Sequence, residues 1–157
     1  MGRPEPVGSS AIVIDFDNRQ QAFTIDQEHL VGLLGSTIAD QHGPNSAEVG
    51  LAFISVEEMT NLNVVHMGGT GPTDVLAFPI DGVDDVAVVP PGQPAILGDI
   101  VVCPVVADQA PQDLPDELAL LVVHGALHLL GHDHAEPDER ALMQSLEVDL
   151  LQRFHRT

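Results

Sequence analysis

The chain reads as a single α+β domain in which a mixed, four-stranded sheet packs against helices. Four apolar segments rich in β-branched residues alternate with longer segments of helical period. The C-terminal third is helical by pattern. The chain is 157 residues long, 44% apolar and 18% charged, which suits one domain with a sizeable core. No internal repeat or linker-like stretch marks a second domain.

In order, residues 1–10 read as a flexible Pro/Gly/Ser tail, and the domain occupies 11–157. Ala11–Ile14 is the first strand candidate. Asp26 is placed to cap a helix running to about Gln41, with Leu30, Val31, Leu34 and Ile38 on one stripe and Gly43 past its end. Val49–Val56 is the second strand. Ser55-Val-Glu-Glu58 has the pattern of a capping box and opens a helix through Met59, Leu62 and Val65. Gly68-Gly-Thr-Gly-Pro72 cannot continue that helix and is a loop. Val75–Pro79 is the third strand, and the acidic Asp81–Pro94 stretch is an exposed excursion. Leu97–Cys103 is the fourth strand.

Pro115 suits the first turn of the next helix, with Asp116 and Glu117 favourable at its positive end. Leu118, Leu121, Val122, Gly125 and Leu129 continue a core stripe along it. Pro137 starts the last helix, with Leu142, Leu146, Val148 and Leu150 on its apolar side.

Cys103 is the only cysteine, which excludes an internal disulfide and fits a reducing cytoplasm. The first residues lack the apolar core of a signal peptide, and no apolar run approaches the ~20 residues needed to span a bilayer. The expectation is a cytoplasmic, soluble protein with no membrane contact. Five arginines, no lysine and 24 acidic residues give a net charge of −19 with histidines neutral. Long-range attraction to phosphate is therefore repulsive at low ionic strength. Either the acidity is a solubility adaptation laid over an unchanged site, or a ribosome, a partner or bound cations bring a nucleic acid in.

The most informative stretch is His124-Gly-Ala-Leu-His128-Leu-Leu-Gly-His-Asp-His134. Residues i and i+4 of a helix differ by about 40° around the axis and about 6 Å along it, so His124 and His128 leave the same face. Gly131 can enter the left-handed conformation that ends helices, and the turn lets His134 swing back. A lone histidine on an apolar face is commonly a core residue. Three among leucines are costly to bury unless each nitrogen has a partner, and a metal ion satisfies all three. Three imidazoles around one divalent ion leave a fourth position open, the arrangement of a catalytic zinc site. Such a zinc lowers the pKa of a water toward about 7 and polarises a phosphoryl oxygen. The expected cofactor is one Zn²⁺ per chain.

Gly125 stands where the His-Glu-x-x-His metalloproteases carry their general base, so peptide hydrolysis by that route lacks its base. With Gly71-Pro-Thr-Asp-Val-Leu-Ala-Phe-Pro79 and Leu97-Gly-Asp-Ile-Val101 in the same order, the histidine motif resembles the signature of the YbeY family. These are bacterial endoribonucleases of ribosomal RNA maturation, and the similarity runs from about Val49 to Arg153. The resemblance implies a zincin-like fold with a central metal helix. It implies RNA phosphodiester hydrolysis in 3′-end maturation of small-subunit ribosomal RNA and in ribosome quality control. Its expected partners are ribosomal RNA, the small subunit and ribosome-assembly proteins.

Asp133 is the carboxylate nearest the ligands in sequence and the catalytic candidate. It could orient a ligand imidazole, receive a proton from water, or only cap the turn after Gly131. Asp74 and Asp99, in the other two motifs, are weaker candidates, and Thr73-Asp74 reads more naturally as the turn into a strand. His132 and Cys103 read as non-ligands. The chain departs from the family at Met67, where many members have an arginine thought to engage RNA phosphate, and at Ala77, where the family has serine. Methionine makes no charge-assisted contact with phosphate. Two other functions therefore stay open: a metal hydrolase of another substrate, and a non-catalytic ribosome-assembly factor in which zinc braces the fold.

Overall fold

The computed structural model describes residues 11–44, 46–80, 93–132 and 135–155. The elements are β1 (Ala11–Asn18), α1 (Gln27–Asp40), β2 (Ser46–Phe53), α2 (Val56–Met67), β3 (Val75–Pro79), β4 (Ala95–Val102), α3 (Pro104–Ala107), α4 (Leu114–Leu129) and α5 (Pro137–Phe154). The predicted N-terminal tail and most of the predicted acidic excursion lie outside the described residues.

The sheet has the order β1-β2-β4-β3. β1, β2 and β4 run parallel, and β3 closes one edge antiparallel to β4. It is the mixed four-stranded sheet the sequence predicted. Each parallel step is crossed by a helix, α1 between β1 and β2 and α2 on the way toward β4, as parallel pairing requires. The alternation of β2, with Ala47, Val49, Leu51 and Phe53 buried, turns one face of the sheet toward α1, α4 and α5. A smaller cluster around Ile54, Met59, Leu76, Val101 and Cys103 fills the space beneath α2 and α3 on the other face. α4 is buried on almost every side, which explains its length of apolar sequence.

Local signals account for most boundaries. The Asp26 carboxylate accepts from the His29 N–H at 3.2 Å, capping α1 as predicted. At the other end of α1 the left-handed residue is His42 (φ 58°), not Gly43. Gly43 supplies clearance instead, since a Cβ there would stand 2.6 Å from the Ile38 methyl. The Ser55 hydroxyl accepts from the Glu58 N–H at 3.2 Å and opens α2. That start corrects the predicted second strand, which ends at Phe53 and leaves Val56 in the helix.

Three apolar assignments also change. Val65 is 73% exposed near the end of α2. On α5 the buried residues are Met143, Glu147 and Leu150, and Leu142 and Val148 face solvent at 53% and 56%. The helix docks along an i, i+4, i+7 line that the leucine and valine positions straddle. His155 then ties the end of α5 to the other two helices. Its Nε2 lies 2.8 Å from the Asp116 carboxylate, and its Nδ1 lies 2.7 Å from Nε2 of His29.

Candidate metal centre and cleft

Close packing sets the position of α4. Gly125 is buried against β4, and a Cβ at this residue would stand 2.7 Å from Cγ2 of Ile100. The missing side chain lets the helix approach the sheet at the level of the two histidines. Gly98 does the same on the strand side. It sits at φ 141° where β4 carries a bulge against β2, and a Cβ there would run into the Phe78 carbonyl. The end of α4 is a two-bond cap: the Gly131 N–H reaches the His128 carbonyl at 3.0 Å and the His132 N–H reaches the Leu127 carbonyl at 2.9 Å. Gly131 has φ 99°, as the sequence predicted for this turn.

His124 and His128 leave one face of α4 and converge, with their Nε2 atoms 3.1 Å apart. Two nitrogens sharing a tetrahedral zinc at about 2.0–2.1 Å would stand roughly 3.3 Å apart. The second nitrogen of His124 has its own partner. Nδ1 lies 2.6 Å from Oε2 of Glu147 on α5. A carboxylate accepts, so a proton sits on Nδ1, and in the neutral ring the lone pair is then on Nε2, the nitrogen nearest His128. That is the tautomer a ligand imidazole needs. The donor pair therefore fits a divalent ion. Among the described residues no third histidine, cysteine or carboxylate completes a ligand set. The predicted third ligand, His134, and the catalytic candidate, Asp133, lie outside the described residues.

Sequence reasoning missed Glu147. Its neighbours Leu146 and Val148 were read as the apolar side, although a lone acid in line with Met143 and Leu150 was a usable signal. It is only 9% exposed, and an acid so buried needs a partner such as His124 supplies.

The histidines stand at the floor of a cleft of about 430 Å³ between the end of α2, strand β3 and α4, walled by Met67, Val75, Ala77 and Pro79. Met67 and Ala77, two of the positions at which the chain departs from the family, thus face the same space. The weaker candidates do not. Asp99 lies on the far side of the sheet, beside Asp15 and over Gly50. Asp74 offers its backbone carbonyl to the Cys103 N–H at 2.9 Å, in keeping with a turn. Cys103 is wholly buried in the small cluster.

The fold and the site define a class: an α+β domain whose central helix presents paired imidazoles to an open cleft. The model of the Endoribonuclease YbeY family matches residues 15–155, and the chain belongs to that family. It is 45% identical over 115 residues to an Endoribonuclease YbeY of Thermobifida fusca, covering 71% of this chain and 74% of that one. It is 46% identical over 132 residues to that of Salinispora tropica, covering 75% and 82%. The protein of the same name from Beutenbergia cavernae is 39% identical over 145 residues, covering 87% and 94%. In fold, the chain is similar to the solution structure of TM1509 from Thermotoga maritima, with a TM-score of 0.58 and 24% identity over 90% of this chain and 91% of that one.

Proposed function

We propose that this chain is a zinc-dependent endoribonuclease acting in the cytoplasm on small-subunit ribosomal RNA, in 3′-end maturation and ribosome quality control. Membership in the family supports RNA cleavage. The observation that carries the metal is the convergence of the two Nε2 atoms, with the far nitrogen of His124 held by Glu147. His124, His128 and His134 would hold one Zn²⁺, which supplies Lewis acidity toward a phosphoryl oxygen and a water of lowered pKa.

The protein's residues contribute the rest. Glu147 keeps the proton on Nδ1 of His124 and fixes the ring. Met67, Val75, Ala77 and Pro79 wall the cleft with apolar atoms. Asp133, beside His134 in sequence, is the candidate proton acceptor. Among the described residues no helix is long and apolar enough to cross a membrane.

The test is cleavage of a structured ribosomal RNA precursor by purified protein, with and without a chelator, alongside His128→Ala. Cleavage lost in both cases is the expected result. Cleavage that survives both would refute the metal assignment. Co-sedimentation with small subunits without cleavage would favour the assembly-factor role instead.

A further inference from the structure

The walls of the cleft say what part of an RNA can lie against them. Among the described residues lining it there is no arginine, lysine, aspartate or glutamate. Arg19 is paired with Asp17 at 3.2 Å and Glu58 at 2.8 Å, and Arg153 with Asp40 at 2.7 Å and Asp149 at 2.6 Å, so the guanidinium groups of these two are engaged elsewhere. A phosphodiester oxygen pushed against Met67, Val75, Ala77 and Pro79 would lose water and gain no hydrogen bond. A nucleobase presents the opposite surface. Its flat faces are the least polar part of a nucleotide and stack on side chains of any suitable shape. Met67, 56% exposed and with a flexible, polarizable thioether, and Pro79, exposed at the end of β3, both line it.

We propose that this cleft is a nucleobase subsite, in which Met67 and Pro79 hold the face of an unpaired base directly beside His124 and His128. This rests on the endoribonuclease reading and deepens it: Met67 determines affinity through the base rather than through phosphate. A base in a duplex keeps both faces covered and cannot enter.

The test is fluorescence anisotropy of the purified protein with a short labelled single-stranded oligoadenylate, and with the same oligomer carrying one internal abasic ribose moved along the chain. Integrity of each oligomer is checked on a gel afterwards. Removing the base at one position should weaken binding by at least about fivefold. Met67→Ala should weaken binding of the intact oligomer by about two- to tenfold, leave the most affected abasic oligomer unchanged, and be rescued by Met67→Leu. Because Met67 is largely exposed, circular dichroism of the variant should match the native protein. Equal affinity for intact and abasic oligomers, or a Met67→Ala loss of the same size on both, would overturn the inference while leaving the nuclease reading in place. A native protein that neither retains nor cuts any RNA would overturn the nuclease reading and the inference with it.

Discussion

Adding one methyl group at Gly125 should reverse the usual helix rule. Glycine inside a helix is about 1 kcal/mol less favourable than alanine, so Gly125→Ala on an unobstructed face would stabilise. Here the new Cβ meets Ile100 at 2.7 Å from Cγ2, 3.2 Å from Cγ1 and 3.3 Å from Cδ1. Ile100 cannot move aside. It is β-branched, stiff at χ1 and wholly buried, on a strand paired on both edges. Overpacking of this kind costs about 1–3 kcal/mol. Set against the propensity gain, Gly125→Ala is destabilising by roughly 0–2 kcal/mol.

The sign becomes decisive in a double-mutant cycle of urea unfolding. In an Ile100→Ala background the obstruction is gone, and Gly125→Ala should turn stabilising by up to about 1 kcal/mol. If Gly125→Ala stabilises the native protein, or has the same effect in both backgrounds, the packing argument is wrong. The same contact bears on chemistry. Gly125→Glu would restore the letters of a metalloprotease motif, yet its side chain must leave from a carbon for which there is no room. It should weaken zinc, read by competition with a chromophoric chelator, and yield no peptidase.

Further outcomes follow from the same geometry. His128→Ala should abolish stoichiometric zinc, and Glu147→Ala should weaken it by about ten- to a hundredfold; zinc content unchanged in His128→Ala would remove the ligand assignment. The Arg153 guanidinium holds the Asp40 carboxyl below the usual carboxylate range. A depressed folded value means that this pair stabilises above about pH 4 and loses its effect as pH falls through the folded value. The stability difference between native protein and Asp40→Asn should therefore shrink on acidification, and a constant difference would contradict the pairing. Met67→Arg should raise RNA cleavage roughly ten- to a hundredfold if the guanidinium reaches a phosphate. It should also make binding more salt-sensitive by a slope of about 0.7. Native RNA binding should hold or improve as monovalent salt rises to physiological levels at fixed magnesium, and a steep fall would reveal a basic surface.

The legible part of this fold was carried by local chemistry. Asp26, Ser55, Pro115 and Gly131 each mark a helix end through a bond or a dihedral confined to one turn, and each stands where expected. The i, i+4 histidines were legible for the same reason. What the sequence hid depends on partners distant along the chain. Leu142 and Val148 form a plausible stripe until α5 is docked, because which side of a weakly amphipathic helix is buried is decided by α4 and not by α5 itself. Glu147 acquires meaning only when His124, 23 residues earlier, is brought to 2.6 Å. Gly125 reads in the sequence as a missing base and a member of the core stripe, and the clearance it gives appears only with Ile100 opposite. His42 takes the left-handed position past the end of α1, and Gly43 beside it gives clearance to Ile38, a division visible only once the turn is folded.

The acidic exterior and the apolar cleft make sense together. With a net charge of −19, the field around the chain opposes RNA over a Debye length of about 30 Å at 0.01 M salt and about 8 Å at 0.15 M. Arg19 and Arg153 add little against it, because each faces two carboxylates. On the proposals above, affinity would then come from contacts that act at short range: a phosphoryl oxygen at an ion held by the histidines, and a base against the walls. Such contacts are insensitive to salt and blind to an RNA passing at a distance. A nuclease built this way does not sweep up RNA by charge. On the proposed function, it would act where another surface, such as the ribosome's, has already delivered an unpaired nucleotide to the cleft.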